Sequence, residues 1–121
     1  VAVLVGRTFL RAVSERDVET AFPLCGPKVQ FDGRLADGAA QVRKQLELMI
    51  SRVPASTRFG RVVGMTWKEA TARFGSPPAR LSTGDIEGSV VVAGRLAKSN
   101  SGLIVFLKKL DGRYRVVGLT D

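Results

Sequence analysis

The sequence predicts an α+β domain in which helices come first and an antiparallel meander of strands closes the chain. Three observations carry that reading. Apolar residues recur at helical spacing in two stretches of the first half. The last third alternates, or runs apolar, between turn residues. Two Asp-Gly pairs, Asp32-Gly33 and Asp111-Gly112, stand where two-residue hairpins belong.

Each element follows from its residues. Val1, Val5, Phe9, Ala12 and Val13 line one face of a helix over residues 1–14, with Arg7 and Arg11 opposite. Ser14 offers an N-cap to a second short helix, residues 15–23, whose first turn holds Glu15, Asp17 and Glu19. Pro23 and Gly26-Pro27 stop it. Residues 28–31 make a short strand with Val29 and Phe31 on one face. Asp37 can cap the long helix that follows, where Val42, Leu46, Met49, Ile50 and Val53 recur at helical spacing.

Residues 59–65 alternate in part and read as a strand. Thr66-Trp67-Lys68-Glu69 is a capping box, so residues 67–74 form a short helix that Gly75 ends and Pro77-Pro78 keeps from continuing. Strands then occupy residues 88–96, 103–110 and 113–119, with the longer turn Ser99-Asn100-Ser101-Gly102 between the first two. Residues 103–107 are apolar on both faces. One face must cover helices, and the other must meet a further surface, of which a second subunit is the simplest.

The 121 residues suit one domain, spanning 1–121, with no internal repeat or linker. Hydrophobic residues are 45% and charged residues 25%, so the chain can build one core. Histidine is absent and Cys25 is the single cysteine. That excludes zinc fingers, Cys/His metal clusters, intrachain disulfides and every mechanism with a histidine base. Neither a metal nor a cofactor is expected, and no glycine-rich phosphate loop is present.

The net charge is +8. Nine basic residues face six acidic ones in 1–60, and ten face five in 61–121. No basic tail forms, and most of the eight aromatics fit core positions. A solvated basic surface or an anion-binding face is therefore expected, and nucleic-acid binding is not. No run is long enough for a membrane span. The compartment is open: cytoplasmic, or exported after loss of a segment upstream of Val1.

Several short runs resemble the nuclear transport factor 2-like superfamily, which includes ketosteroid isomerases and polyketide cyclases. They are Phe9-Leu10-Arg11-Ala12-Val13 with Asp17, then Val29-Gln30-Phe31-Asp32-Gly33, then Gly38-Ala39-Ala40-Gln41-Val42-Arg43. Gly88-Ser89-Val90-Val91-Val92 and Leu110-Asp111-Gly112-Arg113-Tyr114-Arg115-Val116 complete the set. The order of elements carries the match more than any one run. The resemblance implies a cystatin-like curved antiparallel sheet, wrapped around three N-terminal helices into a cone. It implies an apolar pocket at the open end and a homodimer through the outer sheet face. The helix near 67–74 departs from the pattern. The run Gly64 to Glu69 also resembles a helix start in small outer-membrane lipoproteins of the barrel-assembly type, though capping chemistry alone accounts for it.

The resemblance assigns a general base near Asp32, a residue that also reads as the first position of an Asp-Gly turn. Phe9, Phe31, Trp67 and Tyr114 are the candidate pocket-lining residues; Trp67 reads either as a pocket lid or as a core anchor of its helix, and Tyr114 also as a packed sheet residue. Isomerase chemistry also needs two proton donors for an enolate oxygen. The family's donor tyrosine corresponds to Phe9, and its donor acid to the neighbourhood of Leu103 and Ile104, so both donors are missing. A hydrolase variant would need Asp32, Asp85 and Arg95 to meet. The expectation is a non-catalytic module of this type, of unknown specific role. It binds a small apolar or anionic ligand or serves as a dimeric interaction module. The alternative is an isomerase, cyclase or hydrolase using Asp32. Cys25 is expected to be a small buried hydrophobe.

Overall fold

The computed structural model describes residues 1–53, 58–75, 86–96 and 102–120. Its elements run α1 (Ala2–Ser14), α2 (Val18–Ala21), a 3-10 turn (Phe22–Leu24), β1 (Cys25–Phe31), β2 (Arg34–Asp37) and α3 (Ala39–Ser51). There follow β3 (Phe59–Thr66), α4 (Trp67–Phe74), β4 (Val90–Leu96), β5 (Gly102–Leu110) and β6 (Arg113–Thr120). The six strands form one curved sheet in the order β2-β1-β6-β5-β4-β3. It is mixed rather than wholly antiparallel, because β1 runs parallel to β6. The return of the chain through α3, β3 and α4 makes that pairing reachable.

The concave face carries the main core. Phe9, Leu10 and Val13 of α1 and Val42, Leu46 and Ile50 of α3 pack with Val92, Val105, Leu107 and Val116 of the sheet. The helical spacing of the sequence is what places these side chains on the buried faces. Arg16 fastens the α1–α2 turn to the end of α3: its guanidinium donates to the carbonyls of Val53 (2.6 Å) and Ser51 (3.3 Å). Those carbonyls lie at the end of α3, where helix acceptors lack intrahelical partners.

Several local expectations are corrected. Asp17, not Ser14, caps α2, accepting from the Thr20 amide at 3.1 Å. The Ser14 hydroxyl instead donates back to the Arg11 carbonyl. Thr20 holds the Asp17 carboxyl below its usual value through side-chain and backbone hydrogen bonds. β1 begins at Cys25 rather than at residue 28, so Gly26-Pro27 lies inside the strand. Asp37 does not cap α3. Gly38 takes that place at φ 94°, and the Gln41 side chain accepts from the Asp37 amide. The Asp111-Gly112 hairpin forms as expected, with both residues at positive φ. The turn at 99–101 and Pro77-Pro78 lie outside the described residues.

The capping box forms in full: Thr66 accepts from the Glu69 amide, and Glu69 accepts from the Thr66 amide. It launches α4 directly from the last residue of β3. Gly75 ends the helix at φ 81°. α4 turns over the convex face, where Met65, Ala70, Val91, Phe106 and Val117 form a second apolar cluster. Ile86, 1% exposed, belongs to the same cluster. The second apolar face of β5, for which a subunit partner is expected, thus finds part of its cover within the chain.

Candidate functional site

The β1–β2 turn builds one end of the concave face. Asp32 (φ 54°) and Gly33 (φ 91°) are both left-handed, the geometry of a type I′ hairpin. Such a turn matches the twist of its strands and carries Asp32 across the end of β6. There the Asp32 amide donates to the Leu119 carbonyl at 2.8 Å. The Thr120 hydroxyl donates to Asp32 Oδ1, also at 2.8 Å. Thr120 is buried, whereas Asp32 is exposed.

Beside this pair lies an open cleft of about 480 Å³. Phe31, Leu48, Met49, Leu103 and Leu119 give it an apolar floor. Asp32, Arg34, Gln45, Arg52 and Thr120 supply its polar groups. Among the described lining residues two guanidiniums face one carboxylate, an electropositive balance. Among the described residues neither Arg34 nor Arg52 forms an ion pair.

The residues expected to line one pocket are dispersed. Phe31 and Asp32 lie on the cleft wall. Phe9 is fully buried in the main core and is not among the residues that line the cleft. Trp67 lies on the convex side, its ring 6.2 Å from that of Phe106. Tyr114 is half-buried against the concave core. It stands six residues from Thr120 on β6, about 20 Å along the strand. Leu103 presents an apolar side chain to the cleft, and Ile104 turns to the other face. Arg95 lines a different cavity from Asp32. Asp85 is outside the described residues.

Sequence reasoning missed Arg34, Gln45, Arg52 and Thr120. A signal existed for two of them. Gln45, Leu48, Met49 and Arg52 form a second helical stripe beside the core stripe of α3. Thr120 becomes a site residue only because β1 and β6 run side by side, which local spacing does not encode.

Cys25 is buried, and its thiol donates weakly to the Ala21 carbonyl. Burial pushes the thiol up from 9.0 to about 12, against a smaller opposing pull from Arg115. The unfolded chain therefore ionises at Cys25 first. This contribution to stability is intact below pH 9 and is lost as pH rises toward 12. The wild type should lose about 1.4 kcal/mol per pH unit in that window relative to Cys25→Ala. Urea unfolding of both proteins at stepped pH checks it, and parallel pH profiles would refute it.

Among the described residues no group of three acidic or cysteine side chains is placed to hold a metal ion. No helix among them is long and apolar enough to cross a membrane. No family model matches the sequence, and no curated protein does.

Solved structures do match the fold. A protein of unknown function with a cystatin-like fold from Nostoc punctiforme has a TM-score of 0.54 at 10% identity, covering 95% of this chain and 82% of its own. An NTF2-like protein of unknown function from Pseudomonas putida gives 0.55 at 8% identity, covering 96% and 79%. The chain has the nuclear transport factor 2-like fold. A DUF4783 family protein from Bacteroides fragilis gives 0.56 at 13% identity, covering 93% of this chain and 91% of its own. At such identities the likeness speaks of architecture alone. Function does not follow from the fold, so the chain's own cleft carries the functional reading.

Proposed function

We propose that the chain is a non-catalytic binding module whose cleft takes a small anionic amphiphile, an apolar body ending in a carboxylate or similar group. The observation that carries this is the apolar floor with Arg34 and Arg52 at its polar margin. The floor rewards burial of an apolar body at about 25 cal/mol per Å². The guanidiniums offer charge-assisted hydrogen bonds to the head group. Ketosteroid-type chemistry is disfavoured, because the two donor positions hold Phe9 and the Leu103–Ile104 pair.

The enzymatic alternative draws support from Asp32, which stands on the cleft wall beside the Thr120 hydroxyl. The two readings diverge on Asp32→Asn. An anion-binding cleft loses a repulsive charge and should hold its ligand more tightly. A base-catalysed enzyme should lose turnover. The dimeric reading is also open to test. A homodimer through the outer sheet face would have to form around α4, and sedimentation of the chain decides whether it exists.

The binding test uses the fluorescence of anilinonaphthalene sulfonate and its displacement by decanoate. Saturable binding is expected, weakened at least about tenfold in the Arg34→Glu/Arg52→Glu double variant. On titration with decanoate alone, which absorbs no tryptophan emission, Trp67 emission should stay constant, since that ring lies on the opposite face. No saturable binding up to about 1 mM, or equal binding by the double variant, would overturn the proposal.

A further inference from the structure

β3 ends the sheet, with β4 as its only strand neighbour among the described residues. In an antiparallel pair, alternate residues turn their N–H and C=O groups away from the partner. An edge of this kind is a template for a further strand. Two cavities flank β3 on opposite faces. On the helix side, Leu10, Phe59 and Val62 line a space of about 500 Å³, together with Arg7, Arg11 and Arg58. On the convex side, Val63, Phe74 and Ile104 line one of about 470 Å³, together with Arg61, Arg73 and Arg95.

The strand alternation explains the arrangement. Val62 faces the main core and Val63 the convex cluster. An extended chain added beside β3 would likewise send successive side chains to opposite faces, toward each cavity in turn. Phe74, 61% exposed, is already partly covered by the Arg73 guanidinium 5.4 Å from its ring centre.

Charge selects the occupant. All six arginines are exposed, and none forms an ion pair among the described residues. Glu15 is the single acidic residue among the described ones that line either cavity. A second copy of the chain paired edge to edge would bring two sets of these arginines together, which is repulsive. We infer that the β3 edge binds an acidic peptide segment in extended conformation, by strand addition. Its backbone pairs with β3, its acidic side chains meet the arginines, and its apolar side chains enter the two cavities.

Fluorescence anisotropy with a labelled ten-residue peptide of the repeat Glu-Glu-Val-Val, which puts both residue types on each face of an extended strand, tests this on the intact chain. The same peptide N-methylated at alternate residues, made in both phases, keeps the charge but removes the backbone donors. Binding of the parent peptide is expected. In the phase that blocks pairing, methylation should weaken it at least about tenfold, as should the Arg61→Glu/Arg95→Glu variant, its folding verified by circular dichroism. Neither measurement depends on the Arg34–Arg52 cleft. Equal binding of both methylated peptides, tighter binding of an oligouridylate of equal charge, or no binding of the parent peptide up to about 1 mM would each overturn the inference.

Discussion

Replacing Phe9 by alanine should lower the unfolding free energy by about 3–5 kcal/mol. Phe9 is fully buried between α1 and the sheet. Its neighbours on α1, Leu10, Ala12 and Val13, are themselves 2% exposed or less. Truncation removes the transfer free energy of the ring and leaves a cavity, because rigid neighbours cannot all collapse into it. A domain of this size holds only about 5–15 kcal/mol in total, so the variant should be marginal. A urea midpoint shift at unchanged slope measures the loss. The same variant tests where Phe9 acts. It is not part of the cleft wall, so the folded fraction should bind the naphthalene sulfonate probe as the wild type does. An affinity drop of about tenfold in the folded protein would return Phe9 to the pocket.

That contrast shows which links were legible in the sequence. Elements whose cause is local could be read: the α1 and α3 stripes, the two Asp-Gly turns and the Thr66–Glu69 capping box. Caps with competing candidates were misread. Ser14 and Asp17 both suit an N-cap, and backbone geometry chose Asp17. The parallel β1–β6 pairing joins residues some ninety positions apart, and no local periodicity encodes it.

The site divides along the same line. Asp32 was legible because its turn is local. Trp67 was misplaced because α4 folds onto the convex side, a choice made by Phe106 and Val91 far along the chain. Arg34 and Arg52 come together only when the hairpin and the end of α3 meet over β6. Length and composition show that a core exists, but tertiary packing decides which polar groups gather at its open end.

Gly6 offers a test of that packing in which two principles predict opposite signs. It sits inside α1, where alanine is favoured over glycine by about 0.8–1.0 kcal/mol. Propensity alone therefore makes Gly6→Ala stabilising. A Cβ at this position would stand 2.7 Å from Val92 Cγ2, 2.8 Å from its Cβ and 2.9 Å from its Cγ1. Val92 is fully buried on β4, and its branched side chain has little freedom to turn aside. The helix must then lift off the sheet. Gly6→Ala should destabilise despite its propensity, and Gly6→Val should cost about 3 kcal/mol. Val92→Ala removes the obstructing methyls, so the double variant Gly6→Val/Val92→Ala should recover part of the loss. A coupling of at least about 1 kcal/mol in the double-mutant cycle is expected. If the two changes instead add, or if Gly6→Ala raises the urea midpoint, α1 does not approach β4 this closely. Glycine at position 6 is thus the condition for that approach, and the approach is what lets Phe9 and Leu10 reach the core they fill.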